Sequence, residues 1–134
     1  NIIVATLVVA LSTNMMNLFD LRPGRAIKVY TLLAIIIFIA SAKFQREVMM
    51  LILPAVLVYF YFDLRALTMM GDAGSNVLGV SLGVFIVSSF GLAVQVVCLI
   101  LLVLIHILTE KFSLTKIIEN NKFLNYLDRL GRGL

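Results

Sequence analysis

The stretch "VLGVSLGVFIVSSFGLAVQVVCLILLVLIHIL", Val77–Leu108, is the longest apolar run in the chain and decides the class of fold. Its 32 residues would form a helix of about 48 Å, whereas the hydrocarbon core of a bilayer is about 30 Å thick. "SSFG", Ser88–Gly91, interrupts the run near its middle. We therefore expect two membrane-spanning helices that turn close to Gly91. Strands are not expected, because the apolar residues are continuous rather than alternating.

The remainder of the chain extends this pattern to an all-α, polytopic transmembrane helical bundle. Apolar residues make up 62% of the 134 residues and charged residues only 13%, which is not the composition of a soluble domain. Further apolar runs lie at Ile2–Leu11, Val29–Ala42 and Val48–Phe62. The sequence thus predicts about four full spans plus part of a fifth, Ile2–Leu11. Because that run is only about half a span and begins at Asn1, we expect the chain to be a piece of a longer protein.

The basic residues are distributed unequally between the two sides of the predicted bundle. If the spans alternate, nine of the eleven Lys and Arg residues fall in segments 12–28, 63–76 and 109–134, on one side. The positive-inside rule makes that side cytoplasmic. We predict a transmembrane region over residues 1–108 with cytoplasmic loops 12–28 and 63–76, and a cytoplasmic tail over 109–134, in the plasma membrane. Anionic lipids account for the net charge of +4, so no nucleic-acid partner is expected.

The first polar stretch is "STNMMNLFDLRPGRAIK", Ser12–Lys28. Asn14, Asn17 and Asp20 are spaced by three residues, so they occupy one sector of a helix end and could converge on one ligand. Pro23 ends this helix and begins a turn. Basic residues surround the turn: Arg22, Arg25 and Lys28. An ordinary helix end with basic residues at the lipid headgroups explains the same pattern, and both interpretations stay open.

The second polar stretch, "TMMGDAGSNVLG" at Thr68–Gly79, places an aspartate between two glycines. Gly71 and Gly74 remove side-chain clashes around Asp72, so the backbone there can turn sharply or approach a ligand. Mg²⁺ is usually bound by one or two carboxylates together with phosphate oxygens and waters. Asp72 is therefore a candidate metal ligand.

The same stretch also predicts a helix start. Ser75 is well placed to cap a helix that begins at about Asn76, which would direct backbone amides at the loop and favour a bound phosphate. A structural alternative is that Asp72 only caps its helix and pairs with Arg65 or Arg25.

Together the two stretches resemble the polyprenyl-phosphate N-acetylhexosamine-1-phosphate transferases, glycosyltransferase family 4, which include phospho-N-acetylmuramoyl-pentapeptide transferase. Met69–Gly79 is similar to the phenylalanine-methionine-glycine-aspartate-x-glycine-serine-x-x-leucine-glycine signature of that family, with Met69 in place of phenylalanine. Asn14–Ala26 resembles its upstream asparagine-x-x-asparagine-x-x-aspartate loop, one hairpin earlier in both. The resemblance covers most of the chain but only the C-terminal half of a family member.

The resemblance implies a reaction in which a sugar 1-phosphate passes from a UDP-N-acetylhexosamine to a polyprenyl phosphate with release of UMP, at the start of cell-envelope glycan synthesis. Asp72 would ligate Mg²⁺, and Asp20 would lie at the metal or at the lipid-phosphate nucleophile, so these two are the candidate catalytic residues. The candidate substrate-binding residues are Asn14, Asn17, Arg22, Arg25, Gly74 and Ser75. A homodimer stays an open expectation.

The sequence also departs from the family pattern. Pro23 stands where the family usually has a second aspartate, which would alter nucleotide recognition if that aspartate reads the uracil ring. The adjacent aspartates of an earlier loop lie outside this sequence, and His106 is the only histidine. Three alternatives therefore stay open: an inactive relative that binds a lipid phosphate or a partner, a prepilin-peptidase-like aspartyl protease that uses Asp20 and Asp72, and half of a transporter.

The tail from residue 109 has apolar residues at helical spacing, namely Leu114, Ile117, Ile118, Leu124 and Leu127. It is expected to form an amphipathic helix on the membrane surface, capped by Ser113 or Thr115, and to act as a scaffold or as a lid over the site. Cys98 is expected to be an inert packing residue.

Overall fold

The computed structural model describes residues 1–68 and 70–130, without the side chains of Lys43 and Phe44. Met69, where the signature departs from the family, and residues 131–134 of the predicted tail lie outside the described residues. The described chain is all-α, as predicted. Its helices are α1 (Ile2–Phe19), α2 (Arg25–Ala40), α3 (Lys43–Leu64), α4 (Gly71–Ser89), α5 (Leu92–Lys111), α6 (Leu114–Asn120) and α7 (Lys122–Arg129).

Four of the described helices are long and apolar enough to cross a membrane, namely α1, α3, α4 and α5. The chain is thus a multi-pass membrane protein with four such helices, the predicted number, although the predicted set included α2 in place of α1. Among the five helices of the bundle, α1 to α5, the shortest is α2, with 16 residues, and not α1, with 18. The prediction that Ile2–Leu11 is half a span is wrong, because α1 continues through Asn14 and Asn17 to Phe19.

The helices extend further into both polar stretches than hydropathy indicates. The connections between them are residues 20–24 and 65–70, rather than 12–28 and 63–76. The predicted cap at Ser75 is wrong: α4 begins at Gly71, Met70 occupies the N-cap position, and Ser75 is buried inside the helix. A helix begins where its backbone hydrogen bonds begin, so polar residues can form its first turns before the apolar run starts.

Two glycines four residues apart bring α1 and α4 into close contact. A Cβ atom at Gly83 would lie 2.6 Å from Val9 Cα, and one at Gly79 would lie 2.8 Å from the carbonyl oxygen of Ser12. Small residues at this spacing allow helix backbones to approach closely in membranes. Ser12 is fully buried at this contact, and its hydroxyl has no hydrogen-bond partner in the described part of the chain.

Polar contacts hold together one end of the bundle. α4 and α5 are separate helices that turn at Phe90 and Gly91, which confirms the predicted break. The hydroxyl of Ser41, after α2, donates to the hydroxyl of Ser89 at 2.9 Å. Gln45 Nε2 donates to the carbonyl of Ser88 at 3.1 Å. The α2–α3 and α4–α5 connections therefore lie at the same end.

The two segments with the candidate residues meet at the opposite end. The 20–24 turn contacts the end of α3 through a hydrogen bond from Gly24 N–H to Asp63 Oδ2 of 3.0 Å. The end of α1 contacts the start of α4, so the prediction that Asp20 and Asp72 share one face is confirmed. That this face is cytoplasmic stays a prediction.

The tail forms two short helices rather than one. α6 ends at Asn120, and Asn121 then accepts hydrogen bonds from the amides of Phe123 and Leu124 through its side chain. This cap begins a new helix, α7, after the extended backbone of Asn121.

Candidate active site

The candidate active site lies where the end of α1 meets the start of α4. Asp20 is the C-cap of α1, and Asp72 is in the first turn of α4. The backbone amide of Gly71 faces the carboxyl group of Asp20 and lowers its pKa. Gly71 has a φ of 62°, in the left-handed region that other residues rarely adopt. This turn therefore brings the two predicted catalytic carboxylates to one place.

A third carboxylate, Asp63, supports the site from the last turn of α3. Its side chain is almost completely buried and accepts the hydrogen bond from Gly24, which precedes α2. Gly24 has a φ of 76°, and a Cβ atom there would lie 2.7 Å from Leu64 Cδ2. Asp63 lies in neither of the two motifs. The available signal was an aspartate at the end of an apolar span, a position where a charge is costly.

Asp20, Asp63 and Asp72 together give this end of the bundle an excess of negative charge. The pKa of Asp20 is raised above its ordinary value of 3.8, first because burial removes water from the carboxylate and then because Asp63 and Asp72 are negative; the Gly71 amide opposes this. In the described structure Arg25 pairs with Asp128 and Arg65 stacks on Tyr61 at 4.3 Å, so neither arginine neutralises Asp72. This charge suits a divalent cation.

A Mg²⁺ site at these carboxylates, which stays a prediction, would be a partial one. Among residues 1–68 and 70–130, no three His, Cys, Asp or Glu side chains are arranged to enclose a metal ion. Asp20 and Asp72 would therefore supply only part of a coordination shell. Such a shell suits Mg²⁺, which commonly retains waters and takes up substrate phosphate oxygens.

An amide and hydroxyl network fixes the start of α4 against α1. Ser75 Oγ donates to Asn17 Oδ1, and Asn17 Nδ2 donates to Asn76 Oδ1 at 2.8 Å. Ser75 Oγ also contacts the carbonyl of Gly71 at 3.0 Å. Asn17 thus orders the first turn of α4 beside the carboxylates.

Two further predicted residues lie near this network. Asn14 is exposed and lies one turn earlier on α1. Gly74 is a helical residue of α4, where a Cβ atom would collide with the side chain of Met70. Their predicted roles in substrate binding stay predictions.

The two predicted arginines have different environments. Arg22 is partly exposed and contacts Glu119 of α6 at 2.5 Å. Arg25 is buried, and its guanidinium group binds both carboxylate oxygens of Asp128, at 2.7 and 3.1 Å. Arg22 could exchange Glu119 for a phosphate, whereas Arg25 would have to leave a buried ion pair. Substrate binding by both residues stays a prediction.

His106 has a local role in the described structure. Its Nδ1 lies 2.7 Å from the carbonyl oxygen of Leu102 on the same helix, and no described residue contacts its Nε2 through a hydrogen bond. The structure thus gives it no link to the carboxylates.

The bundle combines membrane-spanning helices with carboxylates, amides and an accessible arginine at one end. This arrangement fits a membrane-embedded enzyme. The family model described as glycosyl transferase family 4 matches residues 1–90, which include every candidate site residue. The chain belongs to glycosyl transferase family 4, as its two motifs predicted. Membership supports assignment as a phosphosugar transferase. No curated protein and no solved structure matches the chain.

Proposed function

We propose that the chain forms part of a Mg²⁺-dependent site that transfers a sugar 1-phosphate from a UDP-N-acetylhexosamine to polyprenyl phosphate and releases UMP. The observation that carries the proposal is the meeting of Asp20 and Asp72 at the start of α4, without a neutralising arginine among the described residues. Negative charge without a protein counterion suits a metal ion that also binds the diphosphate of a nucleotide sugar.

In this reaction an oxygen of the lipid phosphate attacks the phosphorus atom that carries the sugar. A new P–O bond forms, the bond to the UMP oxygen breaks, and its electron pair leaves with UMP. Asp20 and Asp72 would hold Mg²⁺, which when bound would offset the negative charge of both phosphates. Arg22 would bind a phosphate oxygen in place of Glu119. Asn17 would keep the start of α4 in position through Ser75.

An apolar groove of about 450 Å³ supports a lipid acceptor. It lies between α3 and α4 and is lined mainly by aliphatic side chains from Val48 and Ile52 on α3 and from the face of α4 between Asn76 and Phe85. That face is about 14 Å long. Asn76 also accepts the hydrogen bond from Asn17, so the groove ends beside the proposed site. An isoprenoid chain in this groove would place its phosphate near the carboxylates.

An inactive relative that binds the lipid phosphate is the second candidate, and Pro23 favours it. The 20–24 turn carries proline where the family usually has an aspartate, so this turn has one carboxylate fewer for the nucleotide.

The test is release of UMP by the full-length parent protein in detergent, with undecaprenyl phosphate and a panel of UDP-N-acetyl sugars, with and without Mg²⁺. Asp72→Asn is expected to abolish release, whereas Glu110→Gln, which removes an exposed carboxylate at the end of α5, keeps it. No release with any sugar from folded wild-type protein would refute the transferase and favour the inactive relative.

A further inference from the structure

The C-terminal helices α6 and α7 contact the segment that carries Asp20, although they lie outside the 1–90 region of the family match. Arg25 Nε and Nη2 donate to the two carboxylate oxygens of Asp128, at 2.7 and 3.1 Å. Lys28 Nζ donates to the carbonyls of Leu127 and Asp128, at 3.1 and 2.9 Å. Thr115 Oγ1 accepts from Arg25 Nη1 at 3.2 Å. α2 therefore begins against the end of α7.

Two ion pairs attach the C-terminal helices to the rest of the chain, and they differ in burial. The side chains of Arg25 and Asp128 are 3% and 4% exposed, whereas those of Arg22 and Glu119 are 34% and 41% exposed. A bidentate guanidinium–carboxylate pair is among the stronger hydrogen-bonded contacts, and removal of one partner from a buried pair leaves an uncompensated charge. An exposed pair contributes little. The Arg25–Asp128 pair is therefore the contact that fixes the tail.

The helix ends explain why this charge arrangement is needed. Arg25 is the first residue of α2, where the positive end of the helix dipole disfavours a cation. Asp128 offsets this unfavourable placement with its carboxylate. Lys28 in turn binds carbonyls at the C-terminal end of α7, where a cation is favoured. The contact thus pairs the positive end of α2 with a carboxylate of α7, and the negative end of α7 with a cation of α2.

We propose that Asp128 is a positioning residue for the proposed transferase, acting through Arg25 on the short 20–24 turn. The turn is held on one side by α1, which ends at Phe19, and on the other by Arg25. With both ends fixed, Asp20 stays at the Gly71 amide and close to Asp72. This inference rests on the proposed function for its catalytic consequence, but the attachment can be measured without turnover.

The experiment compares Asp128→Asn with Arg129→Gln, which removes an exposed charge from the same helix, in the full-length protein. Amide hydrogen exchange over residues 20–24 reports the turn, and steady-state kinetics report kcat and KM for the UDP-sugar. In Asp128→Asn we expect exchange to accelerate at least about tenfold and kcat to fall at least about tenfold, with KM changed less than about twofold. Arg129→Gln is expected to change each quantity less than about twofold.

A double substitution separates positioning from loss of folding. Arg25→Met with Asp128→Leu replaces the buried pair by apolar side chains, an exchange that often leaves stability unchanged. We expect it to restore the slow exchange of residues 20–24. Wild-type exchange and kcat in Asp128→Asn would overturn the positioning role. Inactive wild-type protein whose exchange still depends on Asp128 would refute the transferase alone and support the attachment.

Discussion

Gly79 lies against the backbone of α1, and replacement by alanine is expected to separate α1 from α4. The new Cβ atom would lie 2.8 Å from the carbonyl oxygen of Ser12 and 2.9 Å from the amide nitrogen of Thr13, whereas ordinary contacts begin at 3.4 Å. Neither backbone atom can move by a change of rotamer. The Cβ atom would lie closer still to Thr13 Cα, so the helices must separate by more than about 0.6 Å at this point.

The expected free-energy change has two opposing parts. Overpacking of a well-packed contact costs about 1–3 kcal/mol, and the better helix propensity of alanine offsets about 1 kcal/mol. Gly79→Ala should therefore lower the free energy of unfolding by about 0–2 kcal/mol. Gly79→Val should lower it further, because valine adds two methyl groups to the same contact and has a lower helix propensity than alanine. The shift also reaches Asn17, so kcat should fall in the same order.

Reversible unfolding in mixed detergent micelles measures the stability, and UMP release measures the activity. Gly91→Ala is the matched control, because a Cβ atom there would meet no atom within 4 Å. Equal free energies of unfolding for Gly79→Val, Gly91→Ala and the wild-type protein would contradict the expected clash between α1 and α4.

Three further predictions concern single polar groups. Because the pKa of Asp20 is raised, its ionised form is disfavoured in the folded protein. The free energy of unfolding should therefore increase as the pH falls through the raised pKa toward 3.8. Over the same pH range the affinity for Mg²⁺, measured by calorimetry, should fall, because protons compete with the metal for the carboxylate. Asp63→Ala should cost about 1–3 kcal/mol in unfolding measurements because the amide of Gly24 loses its acceptor, whereas Asp63→Asn, which keeps an oxygen, should cost less. Ser12→Ala should leave stability unchanged or increase it, because the buried hydroxyl has no partner in the described structure; a loss above about 1 kcal/mol would contradict this.

Hydropathy and charge were sufficient for the all-α class, the break near Gly91 and the placement of the two motif segments, but not for the bounds of each helix. The break near Gly91 follows from a run too long for one span, and the basic residues place Asp20 and Asp72 on one face. Both inferences depend on local composition and on alternation of spans. They need no knowledge of which side chains touch.

Tertiary partners could not be predicted in this way. Asp63 is 39 residues from Gly24, and Asp128 is 103 residues from Arg25, so the sequence shows the cost of each charge but not the group that compensates it. The prediction that Ser75 caps a helix failed for a related reason, since Ser75 is buried inside α4. Its hydrogen bond to Asn17 on another helix makes burial of the hydroxyl favourable, and hydropathy along one segment contains no information on that partner.

The separation of Arg25 from Asp128 along the chain has a consequence for biosynthesis. A ribosome adds about 5–20 residues per second, so Asp128 is made roughly 5–20 s after Arg25, which lies 103 residues earlier. During that interval the positive charge at the start of α2 is available to bias the orientation in which the nascent helix enters the membrane. After α7 has been synthesised, the same charge becomes buried in the folded protein. Arg25 would thus serve first as a topological signal and afterwards as a tertiary contact.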